Sequence, residues 1–495
     1  MTRSATGSRQ SASTLPITTP GDWCGRPGSC TPPVRPVRPS SWQLPATWHR
    51  SKANWATCAQ RHARRGWSGA LRRFASEAIR DRFLPALTDT DYDAALRGSQ
   101  FLTEVQGGSD VGALAAWATD HGDGTWRLSG EKWFCSVADA DLFLVLARPD
   151  GAPAGTEGLG CFLLPRLVDG RPNGFSIRRL KEKLGTRSMA SAEIDFHDAV
   201  AYVIGPVDDG FKIMVTAMLN TSRWMNAIGD IAIMQRAYTV AAGYARHREA
   251  FGQRISTFPL VRRQLAELKS HWLAGLHSTW HLTALDEAVD LGPEPADGGF
   301  HRYLVNANKL SCSLAATQVV RGAIEILGGN GAIETFSILP RLLRDAIVYE
   351  QWEGTHNVLT AQVMRDLGRL EMSESVLDRT AELLKGISEP DLAVTAKQAL
   401  AGFEEVAAEI RRCVEDQEHG ALHGRAQLER LVVAHQIGLL LDAARSAGDL
   451  GAELAAAARL LAGLKLDRAY RPEDDPNFPA TIDALVASDL QIIPA

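Results

Sequence analysis

The chain has 495 residues, of which 45% are hydrophobic, and a formal net charge of −5. This length predicts two to four domains with sizeable cores, and the charge gives no global sign of nucleic-acid binding. No run of 18 apolar residues occurs, which predicts that no segment spans a membrane. The seven cysteines are scattered and form no C-x-x-C pair, which favours reduced thiols in a cytosolic protein over a disulfide framework or a metal site.

The first segment, residues 1–66, differs from the rest of the chain. It is rich in Pro, Arg, Ser and Trp and shows no helical or strand periodicity. Residues 1–73 carry a formal charge of +11. Three interpretations stay open: a transit peptide, a disordered basic arm, or a misread start that is not native. The misread start is favoured because disordered arms rarely contain so many Trp and Cys, and we expect this segment to contribute nothing to the fold.

The next two segments predict a helical remnant followed by a β domain. Residues 67–99 have apolar positions near helical spacing, as expected for part of an N-terminal helical domain. Residues 100–208 contain several short apolar runs separated by Gly-Asp turns. Closely spaced short strands of this kind predict a barrel or a sandwich and not βαβ units.

The second half of the chain predicts helices throughout. Residues 209–370 show helical periods longer than those of typical globular helices, which indicates a four-helix bundle. Residues 371–495 read as three or four amphipathic helices and carry a formal charge of −10. We therefore expect an acidic helical extension after the bundle.

Three local patterns occur in a fixed order along the chain. They are residues 103–110, Thr-Glu-Val-Gln-Gly-Gly-Ser-Asp; residues 328–331, Gly-Gly-Asn-Gly; and residues 349–357, Tyr-Glu-Gln-Trp-Glu-Gly-Thr-His-Asn. Alone, the first is also typical of a polar turn and the second of a helix C-cap. The glycine run is not a dinucleotide fingerprint, because it ends a predicted helix instead of opening one after a strand. Together, the three patterns resemble the acyl-CoA dehydrogenase family of flavoproteins.

The resemblance covers roughly residues 100–367. Residues 106–110 and 181–188, with the acidic extension, are similar to the alkylation-response (AidB-like) branch of the family. It implies an α+β multidomain fold that is mostly helical, with a central β-barrel domain and a C-terminal helix bundle. It also implies FAD as the cofactor and no metal.

The resemblance implies two groups of cofactor contacts. Small hydroxyl and Gly residues in the 103–110 loop would let backbone N–H groups approach an anion, and an arginine fork suits the pyrophosphate of a neighbouring subunit's FAD. Two positions depart from the family pattern: Pro259 and Glu325 stand where Gln is usual, and a carboxylate can accept but not donate. The expected FAD contacts are Thr103, Ser109, Phe134, Ser136, Arg248, Phe251, Glu325, Gly329, Thr355 and Asn357.

Glu353 matches the family's catalytic base. A minority of family members place the base immediately before an Arg on another helix, but here that Arg is Arg223 and Ser222 precedes it. Serine cannot be this base, so Glu353 is the only acid at either place. The alternative for Glu353 is a plain surface glutamate. Arg223 and Ser109 are expected to contact the substrate.

The implied reaction is dehydrogenation of an acyl-CoA across Cα–Cβ to the 2-enoyl-CoA. Glu353 would take the Cα proton, and the β-hydrogen would leave as hydride to flavin N5. The resemblance also implies a homotetramer or dimer and an electron acceptor such as an electron-transfer flavoprotein. The alternative is a damage-response flavoprotein that binds DNA and retains only residual dehydrogenase activity. The acidic extension argues against DNA binding through it, because DNA affinity needs clustered cations.

Overall fold

The computed structural model describes residues 66–91, 93–291, 298–369 and 372–491. The expectations for residues 1–65 lie outside this range. The first described residues, 66–74, are helical and are followed by α1, Glu77–Thr88. The hydroxyl of Ser76 accepts a hydrogen bond from the N–H of Ile79 at the start of α1, as expected of an N-cap residue.

The β domain consists of nine strands. Their bounds are β1 Gly98–Phe101, β2 Trp117–Asp120, β3 Trp126–Ser136, β4 Leu142–Pro149, β5 Gly160–Pro165, β6 Leu167–Val168, β7 Arg171–Pro172, β8 Phe175–Leu180 and β9 Ser191–Val203. Strands β4, β2, β3, β9 and β5 pair in that order, and β5 pairs back with β4, so the sheet closes. The predicted β barrel is therefore confirmed. Side chains on these strands alternate between the interior and the exterior of the barrel, because successive residues of a strand point to opposite faces.

Both faces of the barrel wall bear apolar side chains. The interior is filled by side chains such as Phe101, Phe143 and Phe162, each fully buried. On the outer face, Leu142, Leu144 and Leu163 pack against the helical residues around Trp67 and Leu71 and against α1. This second layer explains why β4 and β5 read as continuous apolar runs.

The helix bundle follows the barrel, as predicted. Its helices are α2 Gly210–Ile213, α3 Asn220–His247, α4 Pro259–Leu291, α5 Gly298–Leu327, α6 Leu339–Gln351 and α7 His356–Arg369. A π-helical segment, Met214–Leu219, joins α2 to α3, and a hairpin of two short strands, β10 Glu249–Ala250 and β11 Gln253–Arg254, joins α3 to α4. Gly328, at φ 60°, ends α5 in the left-handed conformation that a helix C-terminus commonly requires.

The acidic extension is helical and shares the core of the bundle. Its helices are α8 Ser373–Lys385, α9 Pro390–Glu415, α10 Gln417–Ala444, α11 Gly451–Leu461 and α12 Phe478–Leu490. One hydrophobic cluster runs continuously from Trp224 on α3 to Val486 on α12. The extension is therefore packed as part of the bundle and not as a separate appendage.

Helix α5 is the most apolar of the long helices in the described part of the chain. Together with the turn that follows, Gly298–Ala332, it is long and apolar enough to pass the length and composition criteria for a membrane span. Within the bundle it is a core helix, and its buried positions include Asn306, Asn308 and Lys309. The expectation of no membrane association stays a prediction.

The β domain and the bundle meet around α6. The N–H of Thr186 donates to the Asp345 carboxylate at 2.5 Å, and a side chain at Gly185 would collide with the backbone of Arg344. Trp352, directly after α6, packs against both the barrel core and the bundle core. The segment that follows α6 is therefore held at the junction of the two domains.

A buried lysine fastens the extension to the bundle. The ammonium of Lys269, 3% exposed on α4, lies 2.8 Å from the Glu453 carboxylate and 2.5 Å from the Asp489 carboxylate. It also donates to the carbonyl of Leu485 at 2.9 Å. A buried cation with this set of acceptors is costly to remove, because its partners are left without compensation.

We predict that Lys269→Met lowers the free energy of unfolding by about 3–5 kcal/mol and increases hydrogen exchange in α11 and α12. Chemical denaturation and exchange mass spectrometry measure the two effects. The control is Lys212→Gln, which removes an exposed lysine that lies 3.9 Å from Asp209 and should change stability by less than about 1 kcal/mol. Equal effects of the two substitutions would contradict the importance of the buried contact.

Candidate active site

Glu353 lies in the short loop between α6 and α7, in a backbone conformation that non-glycine residues rarely adopt. Its φ is 57°, and that of the next residue, Gly354, is 102°. A non-glycine residue at positive φ costs of order 1–3 kcal/mol and persists only where the surrounding structure holds it. Much of the Glu353 side chain is covered, and its Oε2 atom is buried with no hydrogen-bond partner in the described part of the chain.

Two buried cations hold this loop through its backbone. The Arg223 guanidinium on α3 donates to the carbonyl of Glu353 at 2.9 Å. The Lys309 ammonium on α5 donates to the carbonyls of Glu350 and Gly354, at 3.1 and 3.0 Å. Arg223 is 5% exposed and Lys309 is fully buried. The carbonyls on both sides of the Glu353 side chain are thus fixed by charged donors, which form stronger hydrogen bonds than neutral donors.

Three neutral or acidic side chains complete this arrangement. Asn306 accepts from Arg223 at 2.6 Å. Asn226 accepts from the indole N–H of Trp352 and donates to the Asp230 carboxylate at 2.9 Å. We call Arg223, Asn226, Asp230, Asn306 and Lys309 the loop cradle; all five are buried.

Sequence reasoning identified only Arg223 of the loop cradle, although a signal was present. Arg223, Asn226 and Asp230 occur at i, i+3 and i+7 on α3, and Asn306 and Lys309 are three residues apart on α5. This spacing places polar side chains on one face of a helix. On helices that are otherwise apolar, such a stripe indicates a buried polar site.

The electrostatics of the loop cradle act directly on Glu353. Burial raises the pKa of Glu353 above its ordinary value of 4.5, and the charges of Arg223 and Lys309 oppose this rise. Burial lowers the pKa of Lys309 to about 8, against the attraction of Asp230. A carboxyl group whose pKa is moved toward neutrality is better suited to accept a proton.

The predicted loop 103–110 is fixed to strand β3 by a second buried ion pair. The Lys132 ammonium lies 2.6 Å from the Glu104 carboxylate, and both side chains are almost fully buried. Glu104 also accepts from the N–H groups of Ala115 and Ala116, at 2.7 and 3.2 Å. The N–H of Trp133 donates to the carbonyl of Thr103 at 2.8 Å. The loop and the strand predicted to contact the flavin are therefore one connected unit.

The predicted flavin contacts on this unit are accessible. The ring of Phe134 is 52% exposed, Ser109 is exposed, and Thr103 and Ser136 are partly buried. The Ser136 hydroxyl is 3.0 Å from the Ser191 hydroxyl. This surface offers an aromatic ring for stacking, and hydroxyls and a glycine-rich backbone for hydrogen bonds. These are the groups expected to contact a flavin.

The second group of predicted contacts lines a separate cleft. Arg248, Glu325 and Gly329 border an open cavity of about 600 Å³ with Tyr244 and Asn330. Glu325 accepts from the amide of Gln264 at 2.9 Å. Phe251 stands next to Arg248 and is 95% exposed at φ 54°.

The Arg248 cleft lies far along α3 from the residue that binds the Glu353 loop. Arg223 and Arg248 lie at opposite ends of α3, which at 1.5 Å per residue places them roughly 37 Å apart. The expectation that Arg248 and Gly329 act on the cofactor of a neighbouring subunit stays a prediction.

Other predicted residues are placed as follows. Thr355 directly precedes α7 and is partly buried, whereas Asn357 accepts from Arg425 on α10 at 3.1 Å. The described hydrogen bonds of the Arg223 guanidinium go to Glu353 and Asn306. Its expected contact with the CoA moiety stays a prediction, as do the expected roles of Ser109, Thr355 and Asn357.

Comparison with known protein families accounts for both domains. Residues 99–199 match the acyl-CoA dehydrogenase middle domain, and residues 208–368 match the acyl-CoA dehydrogenase C-terminal domain. Isovaleryl-CoA dehydrogenase from Oryza sativa subsp. japonica is 30% identical over 61% of this chain and 69% of its own length. The chain belongs to the acyl-CoA dehydrogenase family. The resemblance drawn from the sequence motifs is therefore confirmed.

One further sequence relative and one solved structure are similar to the chain. The protein named acyl-CoA dehydrogenase AidB from Escherichia coli is 37% identical over 54% of this chain and 48% of its own length. The structure of Caenorhabditis elegans ACDH-11 in complex with C11-CoA aligns with a TM-score of 0.76 and 26% identity, over 91% of this chain and 75% of that chain. The chain spans about half the length of AidB and of acyl-CoA dehydrogenase family member 11 from C. elegans.

We predict that Glu353→Gln raises the melting temperature, and more so at pH 8 than at pH 5. Because the folded state raises the pKa of Glu353 above 4.5, the stability that this group contributes is present below that pH and is lost as the pH rises through the raised pKa. Each unit of that rise corresponds to about 1.4 kcal/mol, and Gln carries no such penalty. Thermal melts of both proteins across this pH range measure the difference; a gain that does not grow with pH would contradict the assignment.

Proposed function

We propose that the protein is an FAD-dependent acyl-CoA dehydrogenase that converts an acyl-CoA thioester to the 2-enoyl-CoA, with Glu353 as the base. One observation carries this proposal. A carboxyl group with a raised pKa and an unpartnered buried oxygen is held rigidly at the junction of the β barrel and the helix bundle. Family membership and the similarity to AidB support the same reaction.

The Cα proton of a thioester is a weak acid, so the base needs assistance. The carboxylate of Glu353 takes the proton, and the substrate that covers it excludes water and raises its pKa further. The N–H of Glu353 donates to no acceptor in the described residues and is available to the thioester carbonyl. A donor fixed at that position stabilises the developing enolate, as in other oxyanion sites.

FAD is the cofactor that the residues fit best. Thr103, Phe134 and Ser136 supply hydroxyls and an exposed ring near the junction, and Arg248 supplies a guanidinium that forms no ion pair with another described residue. A side chain at Gly329 would meet open space, so its backbone is accessible from the cleft. When bound, FAD supplies the acceptor for the hydride that leaves Cβ.

The assembly follows from the same placement of residues. We infer that the active protein is a homotetramer or dimer, because the Arg248 cleft lies at the far end of α3 from the arginine that binds the Glu353 loop, and the family resemblance assigns this cleft to the FAD of a neighbouring subunit. We propose that an electron-transfer flavoprotein receives the electrons. C. elegans ACDH-11 binds C11-CoA, and we propose an acyl-CoA, of unspecified chain length, as substrate for this chain.

We predict that Glu353→Gln retains FAD and acyl-CoA binding but reduces the flavin more slowly by roughly 10²–10⁴-fold, the loss expected for a general base. Gln is nearly isosteric but cannot accept the Cα proton. Anaerobic stopped-flow absorbance measures the rate. The control is Glu267→Gln on α4, where the glutamate forms an exposed pair with Arg263; this variant should react at the wild-type rate.

A second substitution tests the position of the base. Adding Ser222→Glu to Glu353→Gln is expected to restore part of the rate, because the family tolerates a base before the corresponding arginine. If Glu353→Gln itself reduced the flavin at a near wild-type rate, the proposed reaction would be wrong.

We predict that FAD co-purifies with the protein and that the loaded protein is a dimer or tetramer of the 53.7 kDa chain. Light scattering with absorbance detection measures mass and flavin together. Arg248→Gln should lower flavin occupancy, because the cleft would lose its cation. A monomer that retains its full flavin content would contradict the shared site, and colourless protein that takes up no added FAD would contradict the cofactor.

A further inference from the structure

Lys309 is unusual among the buried side chains because its ammonium group is directed at the backbone of the loop that carries Glu353. It is fully buried on α5 and donates to the carbonyls of Glu350 and Gly354. No described carboxylate lies within 4 Å of it to form an ion pair. The strongest electrostatic attraction on it comes from Asp230 on the neighbouring helix α3, which Lys309 helps to keep ionised against burial that raises the pKa of Asp230 well above its ordinary value. Burying an ammonium without an ion-pair partner costs free energy. Its presence here therefore indicates a specific role.

We propose that Lys309, with Asp230 as its counter-charge, is a positioning residue that holds the loop 350–354 in the strained conformation needed to aim Glu353 at the acyl group. The inference rests on the proposed function, in which Glu353 is the base.

The geometry supports this role more strongly than a general contribution to stability. The two carbonyls bound by Lys309 lie on either side of Glu353, and the carbonyl of Glu353 itself is bound by Arg223. Two consecutive residues, Glu353 and Gly354, have positive φ, and nothing in their own sequence forces Glu353 into that region. Loss of the ammonium would remove two of the three side-chain hydrogen bonds that fix these carbonyls.

The charge of Lys309 also acts on the base. Its attraction favours the ionised form of Glu353 and opposes the effect of burial. Loss of this charge would therefore shift the titration of Glu353 to higher pH. The charged and titratable groups around the loop, on all the helices packed against it, are Arg223, Asp230, Arg302, Lys309, Glu350, His356, Asp366 and Arg425.

The test compares Lys309→Met with the double variant Lys309→Met/Asp230→Asn. Methionine is close to lysine in length but donates no hydrogen bond. The single variant leaves Asp230 without its counter-charge and is expected to be unstable, whereas the double variant removes both charges and should fold. In the FAD-loaded double variant we expect flavin reduction by an acyl-CoA to slow by roughly 10²-fold, as for a misplaced catalytic group.

Three further readouts separate positioning from stability. Binding of a redox-inert acyl-CoA thioether should change by less than about threefold, because the pocket is intact. The acidic limb of the pH–rate profile should move to higher pH, and amide exchange in residues 350–357 should become faster. The matched control is Lys269→Met, which removes a buried lysine that does not touch this loop and should leave the pH profile and the exchange of residues 350–357 unchanged.

The outcomes are distinct. A double variant that reduces flavin within about threefold of the wild-type rate, with unchanged exchange in residues 350–357, would overturn the role of Lys309. If none of the acyl-CoA thioesters tested reduced the flavin of the wild-type protein, the proposed function would fail. The exchange of residues 350–357 alone would then decide whether Lys309 holds the loop.

Discussion

The position of Glu353 depends on hydrogen bonds from two buried cations to the backbone of a strained loop. Arg223 and Lys309 come from different helices and bind carbonyls at and around Glu353. Because both donors are charged and shielded from water, these bonds are strong enough to offset a left-handed residue. The bundle thus directs two buried charges at the backbone of residues 350–354. Such support is expected where one side chain must be placed accurately.

The rest of the fold supports this loop from two directions. Trp352 packs between the core of the barrel and the core of the bundle, and Thr186 of the β domain is bonded to Asp345 of α6. The barrel, through the Glu104–Lys132 pair, fixes the loop predicted to contact the flavin. The domain junction therefore brings the predicted base and the predicted flavin surface onto rigid elements that pack against each other.

The sequence predicted the architecture well because periodicity and turn residues report directly on strands and long helices. Its short strands predicted a barrel or a sandwich, and the motifs identified the family and with it the barrel. The extension was predicted as three or four helices, and the described residues form five. The loop cradle was missed, apart from Arg223, because contacts between α3, α5 and the Glu353 loop join residues more than 40 positions apart. The continuity of the extension with the bundle core was missed for the same reason: amphipathic helices show which face is buried but not which partner covers it.

The central claim is that this loop places a base against the acyl group of a bound thioester. The most direct measurement is an anaerobic titration of the FAD-loaded protein with a panel of acyl-CoA thioesters of different chain length and branching, followed by visible absorbance. The account predicts that the oxidised flavin band bleaches with at least one member of the panel. A flavin that binds these thioesters yet stays oxidised with every one of them would contradict it.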